Sequence, residues 1–220
     1  MKFPLMTLSA LYVLQVEGDS ITKIKKLAND VAEETLYSDQ DFFNSVIMML
    51  SNVKDVATFS LFETWNSTYI LFNNVNKSAE TKEQKDCIAS ERKKLSDIIE
   101  GVASPLFSCG RHALEFANPI RNKIQDGHRT SMQILSDLQS VKESCSSKIA
   151  KLEDECISMK LKKIEISLMD LLEKLVTLKI EGSTIKPKIL SDTLDCNAEV
   201  LTGINKEITN LHNRLKECLQ

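Results

Sequence analysis

Glycine and proline are scarce in this chain, six and four among 220 residues. With 42 % hydrophobic residues, that scarcity argues against disorder and for a folded, mainly helical protein. No CxxC pair occurs, and His112, His128 and His212 share no ligand spacing with the cysteines, so a metal centre is not expected. GxSxG, HExxH, Walker and EF-hand motifs are likewise missing. Neither sign of charge dominates: the net charge is −3, with acids and bases interspersed. That leaves no electrostatic footprint for nucleic acid or an anionic membrane. Beyond the N-terminal stretch no apolar run approaches about 18 residues, so no membrane span is expected.

What the chain does have begins at its start. Residues 1–18 read as a secretory signal peptide: Lys2 is the positive end, Phe3 to Val16 is the apolar run, and Val16 and Gly18 are small residues placed for cleavage before Asp19. Secretion then sets the chemistry of cysteine. Cys87, Cys109, Cys145, Cys156, Cys196 and Cys218 are an even number in an oxidising compartment, which implies three disulfides. The triplets Asn66-Ser67-Thr68 and Asn76-Lys77-Ser78 become glycosylation sites, at Asn66 and Asn76.

The mature chain divides into unlike halves, 19–80 and 84–220. The first is aromatic-rich. A helix is expected over Ser20 to Leu36, and Ser38, with Asp41 three residues on, starts another. Phe59, Phe62, Trp65, Tyr69 and Phe72 follow at helical spacings of 3 or 4. They make either a packed core, the favoured reading, or a pocket for an apolar ligand. The polar stretch from Asn76 to Lys85 serves as a linker.

In the second half, Ser131 to Glu181 contains neither Gly nor Pro and reads as one long central helix. Ile134, Leu138, Val141, Cys145, Ile149, Leu152 and Cys156 share one face; Ile157, Leu161, Ile164, Leu168, Leu171, Leu175 and Leu178 form a second stripe in a shifted phase, a coiled-coil-like seam. Asp126-Gly127 signals a turn before this helix, and Gly182 with Pro187 a stop after it. Gly101, Ser104 and Pro105 interrupt the preceding segment, and Ser191 or Asp192 caps a last helix ending near Cys218. The fold class expected is all-α: a disulfide-stapled, elongated antiparallel three-helix bundle over 84–220, preceded by a smaller aromatic-rich helical region over 19–80.

Two disulfide schemes fit. With turns at Gly127 and Pro187, Cys109 and Cys145 lie equally far from the first, and Cys156 and Cys218 equally far from the second. This gives Cys109–Cys145, Cys156–Cys218 and Cys87–Cys196, the preferred set. The rival is a nested ladder, Cys87–Cys218, Cys109–Cys196 and Cys145–Cys156, which breaks the central helix at Ser144 to Ser147. Cysteines eleven residues apart on an unbroken helix are roughly 16 Å apart and cannot bridge, so the two schemes exclude each other.

No catalytic constellation emerges. Cys109-Gly110-Arg111-His112 sets a thiol near a base, but neighbouring side chains diverge on a helix and Cys109 is needed for a disulfide. Insect odorant-binding proteins, also secreted, helical and six-cysteine, are rejected because 35 residues separate Cys109 from Cys145 where that family has a short gap. The region Cys87 to Cys218 instead resembles the TsetseEP-domain family of insect secreted proteins. The similar features are Cys87-x21-Cys109 at its start, Cys196-x21-Cys218 at its end, and long amphipathic segments between. That resemblance implies a protein of gut, saliva or reproductive fluid without enzymatic activity, and it brings no functional residues with it. The function expected is therefore a secreted, non-enzymatic interaction or structural protein. Its partner is another protein, a matrix or a second copy of itself, and it takes no cofactor. The alternative is a carrier of an apolar small molecule or lipid.

Overall fold

The computed structural model describes residues 20–146 and 149–220; the signal peptide expected over 1–18 lies outside them. Three helices carry the described chain: α1 (Ser20–Ser78), α2 (Lys82–Ser144) and α3 (Ala150–Glu217), of 59, 63 and 68 residues. Among the described residues there is no strand. The helices pack together as an antiparallel three-helix bundle stapled by disulfides, so the fold class is the one expected, but its members are different.

The first correction concerns α1. Ser20 to Ser78 is one helix, without a break at Ser38. Ser38 is buried there, and its Oγ donates to the Glu34 carbonyl at 2.6 Å, which satisfies the hydroxyl inside the helix instead of at its end. The linker shrinks to Ala79, Glu80 and Thr81. α2 then starts on a capping box. Gln84 N–H donates to Thr81 Oγ1 at 3.2 Å, and Gln84 Oε1 accepts from the N–H groups of Glu80 and Thr81 at 2.9 and 3.2 Å.

The long central helix is the second correction. The chain turns between Ser144 and Ala150, and the disulfides are Cys87–Cys218, Cys109–Cys196 and Cys145–Cys156, with Cα–Cα distances of 5.7, 5.7 and 5.6 Å. The preferred set Cys109–Cys145, Cys156–Cys218 and Cys87–Cys196 is therefore wrong and the ladder is right. The reversal occurs without Gly or Pro, and the Cys145–Cys156 bridge closes it. Ser144 Oγ donates to the Val141 carbonyl at 3.0 Å, the kind of local bond with which serine competes against helix propagation. The shift of phase between the two apolar stripes marks the same turn. Ile134, Leu138, Val141 and Cys145 are buried on α2, Leu161, Leu168, Leu171 and Leu175 on α3, while Ile149 and Leu152 are exposed.

Third, the expected stops do not stop anything. Asp126-Gly127 lies inside α2, and Gly182 and Pro187 inside α3; Pro105 and Pro119 are also within α2. A proline inside a helix costs about 3 kcal/mol. Each of these is flanked by core side chains, Val102 and Leu106, Ala117 and Ile120, and Ile189. Burying one such aliphatic side chain contributes about 1.5–3 kcal/mol, enough to offset the loss.

The bundle divides into two compact units, and neither is an N-terminal region followed by a cysteine-bearing rod. One comprises the described residues up to Phe42 with Ile120–Gly182; the other comprises Phe43–Pro119 with Ser183–Gln220. Every helix serves both. The first unit's core is Ile24, Ala28 and Val31 of α1, Ile134, Leu138 and Val141 of α2, and Leu161, Leu168 and Leu171 of α3. That of the second gathers Phe72, Ile88, Leu95, Val102, Ile208, Leu211 and Leu215.

Two glycines are there for closeness, not for turning. A Cβ on Gly182 would sit 3.0 Å from Cδ2 of the buried Phe42 ring, and one on Gly127 3.3 Å from Leu171 Cδ1. A Cβ on Gly203 meets nothing within 4 Å. Gly203→Ala should therefore stabilise the protein by up to about 1 kcal/mol through helix propensity. Gly182→Ala should lose that gain and more, because Phe42 is held in the core. Urea titrations of the two variants check this, and equal shifts of the same sign would refute it.

Disulfide mapping provides a second check. An unreduced digest should contain a linked peptide pair joining only Cys145 and Cys156. That bridge closes a short loop, and removing it should cost about 2–3 kcal/mol, against about 4–5 kcal/mol for the Cys109–Cys196 pair, whose loop spans 87 residues. A greater loss of thermal stability on removing Cys145–Cys156 would contradict this ordering.

Candidate functional site

The five aromatic residues read as a packed core or, less favoured, as an apolar pocket do not share a face. A step of three residues turns 300°, so each falls 60° short of a full turn, and spacings of 3, 3, 4 and 3 wind the stripe around the helix. Phe72 is fully buried at 0 % exposure, while Phe59 and Phe62 are 63 % and 56 % exposed. Trp65 packs at the edge of the second unit's core. Its ring centroid lies 5.8 Å from that of Phe62 and 5.7 Å from that of Tyr69. The Arg92 guanidinium stands over the Tyr69 ring at 4.8 Å, a cation–π contact from α2. Trp65 thus contacts two exposed rings, tilted against Phe62 and stacked on Tyr69.

Both sequon asparagines are exposed on α1. Asn66 lies four residues after Phe62, four before Ile70 and seven after Phe59, so it shares a helical face with three exposed apolar side chains. Thr68, the third residue of that sequon, is buried, and its Oγ1 is 3.1 Å from His212 Nε2 on α3. α1 is also long and apolar enough, over an 18-residue window, to cross a membrane by length and composition.

Polar clamps set the helices against each other within each unit. In the first, the Asp39 carboxylate accepts from Arg121 Nε and Gln125 Nε2, both at 3.2 Å. His128 Nδ1 lies 3.1 Å from the Ala32 carbonyl and 3.3 Å from Thr35 Oγ1. The Nδ1–H tautomer serves both contacts. In the second unit the buried Glu91 of α2 accepts from Arg214 Nε of α3 at 2.9 Å and pairs with Lys94. Arg92 also donates to Asn73 of α1. Burial pushes the Glu91 carboxyl up, but the hydrogen bonds and charges of Lys94 and Arg214 outweigh it and hold the group below the usual carboxylate range. His212 is shifted down, first by burial and then by the charge of Lys216.

One opening lies in the first unit. It is a groove of about 790 Å³ with Ile124, Leu171, Leu175 and Leu178 among its lining and Lys123, Asp126, Asp170, Glu173 and Glu181 at its edges. Gly127 lines it too, and sequence reading missed its role, having taken it for a turn residue. Among the described residues no group of three or more His, Cys, Asp or Glu could hold a metal ion. Cys109 is oxidised, and His112 is exposed with Glu115 3.2 Å from its Nδ1, so the thiol and base of the Cys109-to-His112 stretch are not joined. No protein-family model, no curated protein and no solved structure matches the chain.

Glu91 yields a pH prediction. A carboxyl whose folded pKa is depressed contributes stability above its unfolded value of about 4.3, lost as pH falls through the folded value. Glu91→Gln should therefore cost about 1–2 kcal/mol at pH 7. The difference from the parent should close as pH drops below about 4. Denaturant melts across pH test this; a gap that does not narrow on acidification would show that shape, not charge, is what the position supplies.

Proposed function

We propose that this is a secreted, non-enzymatic helical protein, an interaction or structural component of an extracellular fluid. The observation that carries the proposal is the full pairing of its six cysteines into three intramolecular disulfides, the chemistry of an oxidising compartment. The leader-like residues 1–18 support it. So does the exposure of both sequon asparagines, with a glycan at Asn66 covering the apolar face formed by Phe59, Phe62 and Ile70. The resemblance of the Cys87-x21-Cys109 and Cys196-x21-Cys218 spacings to the TsetseEP-domain family supports an insect fluid.

The groove bordered by Ile124, Leu171, Leu175 and Leu178 favours a second reading, transport of an apolar small molecule or lipid. Expression in an insect-cell secretory host tests both. The expected product is a medium-borne protein that begins at Asp19, carries glycans at Asn66 and Asn76 and has no free thiol. Retention in the alkali-resistant membrane pellet, with 1–18 uncleaved, would overturn secretion in favour of anchorage. A stoichiometric lipid in the native mass spectrum would move the assignment to the carrier.

A further inference from the structure

α3 carries an apolar stripe on the side away from its own core. Leu168, Leu171 and Leu175 are buried, while Met159, Ile166 and Val176 are 62 %, 53 % and 41 % exposed. At 100° per residue the two sets lie on roughly opposite faces. The outer stripe is regular. Met159, Lys162, Ile166, Met169, Glu173 and Val176 are spaced 3, 4, 3, 4 and 3 apart, the seven-residue repeat that keeps one seam facing a second helix. Met169 is half-buried; Lys162 and Glu173 are exposed, and neither has an ion-pair partner among the described residues. All six belong to the first unit.

The order of these residues is self-complementary. Set antiparallel to itself about a twofold axis between Ile166 and Met169, the stripe places Met159 opposite Val176 of the second copy. Lys162 then faces Glu173, and Ile166 faces Met169. By symmetry each pairing occurs twice, so on each side of the axis a layer of opposite charges lies between apolar layers. Parallel and in register, the same stripe would set Lys162 on Lys162 and Glu173 on Glu173. The charges therefore select both the partner and its direction. We infer that this face of α3 docks against a second copy of the chain, making an antiparallel homodimer through Met159 to Val176. The inference rests on the reading of the protein as an interaction component and names its partner.

Sedimentation velocity on the purified, disulfide-bonded protein tests it, across concentrations up to about 100 μM, the range that detects micromolar association. A concentration-dependent dimer is expected. Lys162→Glu and Glu173→Lys should each raise the dissociation constant about tenfold or more. The double variant Lys162→Glu/Glu173→Lys, which reverses both charges of each pair, should return to within about threefold of the parent. Both positions are exposed, and helicity by circular dichroism confirms that the variants fold. A carbodiimide cross-link joining Lys162 of one copy to Glu173 of an isotope-labelled copy should appear in the parent and vanish in the single variants. A monomer at all concentrations, or a dimer indifferent to charge reversal, overturns the proposal. If the protein reaches the medium but is monomeric, the dimer fails while secretion stands. If it stays in the cell, secretion fails, and the dimer is still measurable on refolded protein.

Discussion

The register of α2 against α3 is the constraint on which the rest depends. Twenty-one residues separate Cys87 from Cys109, and twenty-one separate Cys196 from Cys218, so the two cystines of the second unit clamp equal lengths of antiparallel helix with no slip between them. Glu91 and Arg214 fall into the same register, four residues inside the Cys87–Cys218 bridge on each helix. A salt bridge with one exposed partner contributes little alone. Here the cystines have already fixed the geometry, and less side-chain entropy remains to be lost when the pair forms. The third cystine does a different job. Cys145 and Cys156 bracket the reversal itself, so the bridge closes a hairpin that serine alone leaves weakly specified.

With that register fixed, residues that usually end helices are freed for other purposes. Gly182 lets Phe42 of α1 approach α3 within the first unit, and Gly127 brings α2 close to Leu171. Neither adopts a left-handed backbone, and no glycine among the described residues has a positive φ. A helix stop needs more than a residue of low propensity: the carbonyls released must find other partners, and the chain must gain by leaving. Tertiary packing on both sides removed that gain at Gly127, Gly182 and Pro187. It did not do so at Ser144 to Ser146, where the buried Cys145 pairs with Cys156 on the returning helix.

How much of this was legible follows from the range of each signal. Helix content was readable because amphipathic spacing is local, and the presence of cystines because their number is even and no ligand pattern competes. Connectivity was not, because it depends on where the chain reverses, and the strongest turn signals were spent on close packing. The true reversal did leave a trace. The apolar phase slips between Cys145 and Ile157, and a slip of phase on a continuous helix would have exposed one stripe or the other. The aromatic residues part company for an arithmetic reason: steps of three fall 60° short each, enough to carry Phe59 and Phe72 to different sides of α1. Thr81-x-x-Gln84, a capping box visible in the sequence, went unused because the polar stretch around it read as linker.

The two units are restrained by different means, and this bears on where surface can be put to use. The second has two cystines closing loops of 87 and 131 residues, which remove much entropy from its unfolded state. The first has only the bridge between Cys145 and Cys156, so its order rests more heavily on Ile24, Val31, Leu138, Leu168 and Leu171 and on the Asp39 and His128 clamps. A helix packed only along that narrow face has no structural need for Met159, Ile166 and Val176 on the other side. Exposed apolar side chains scattered singly call for no explanation. Six positions in a seven-residue repeat, with opposite charges set symmetrically about its centre, are a pattern that folding of one copy does not require and pairing of two copies does.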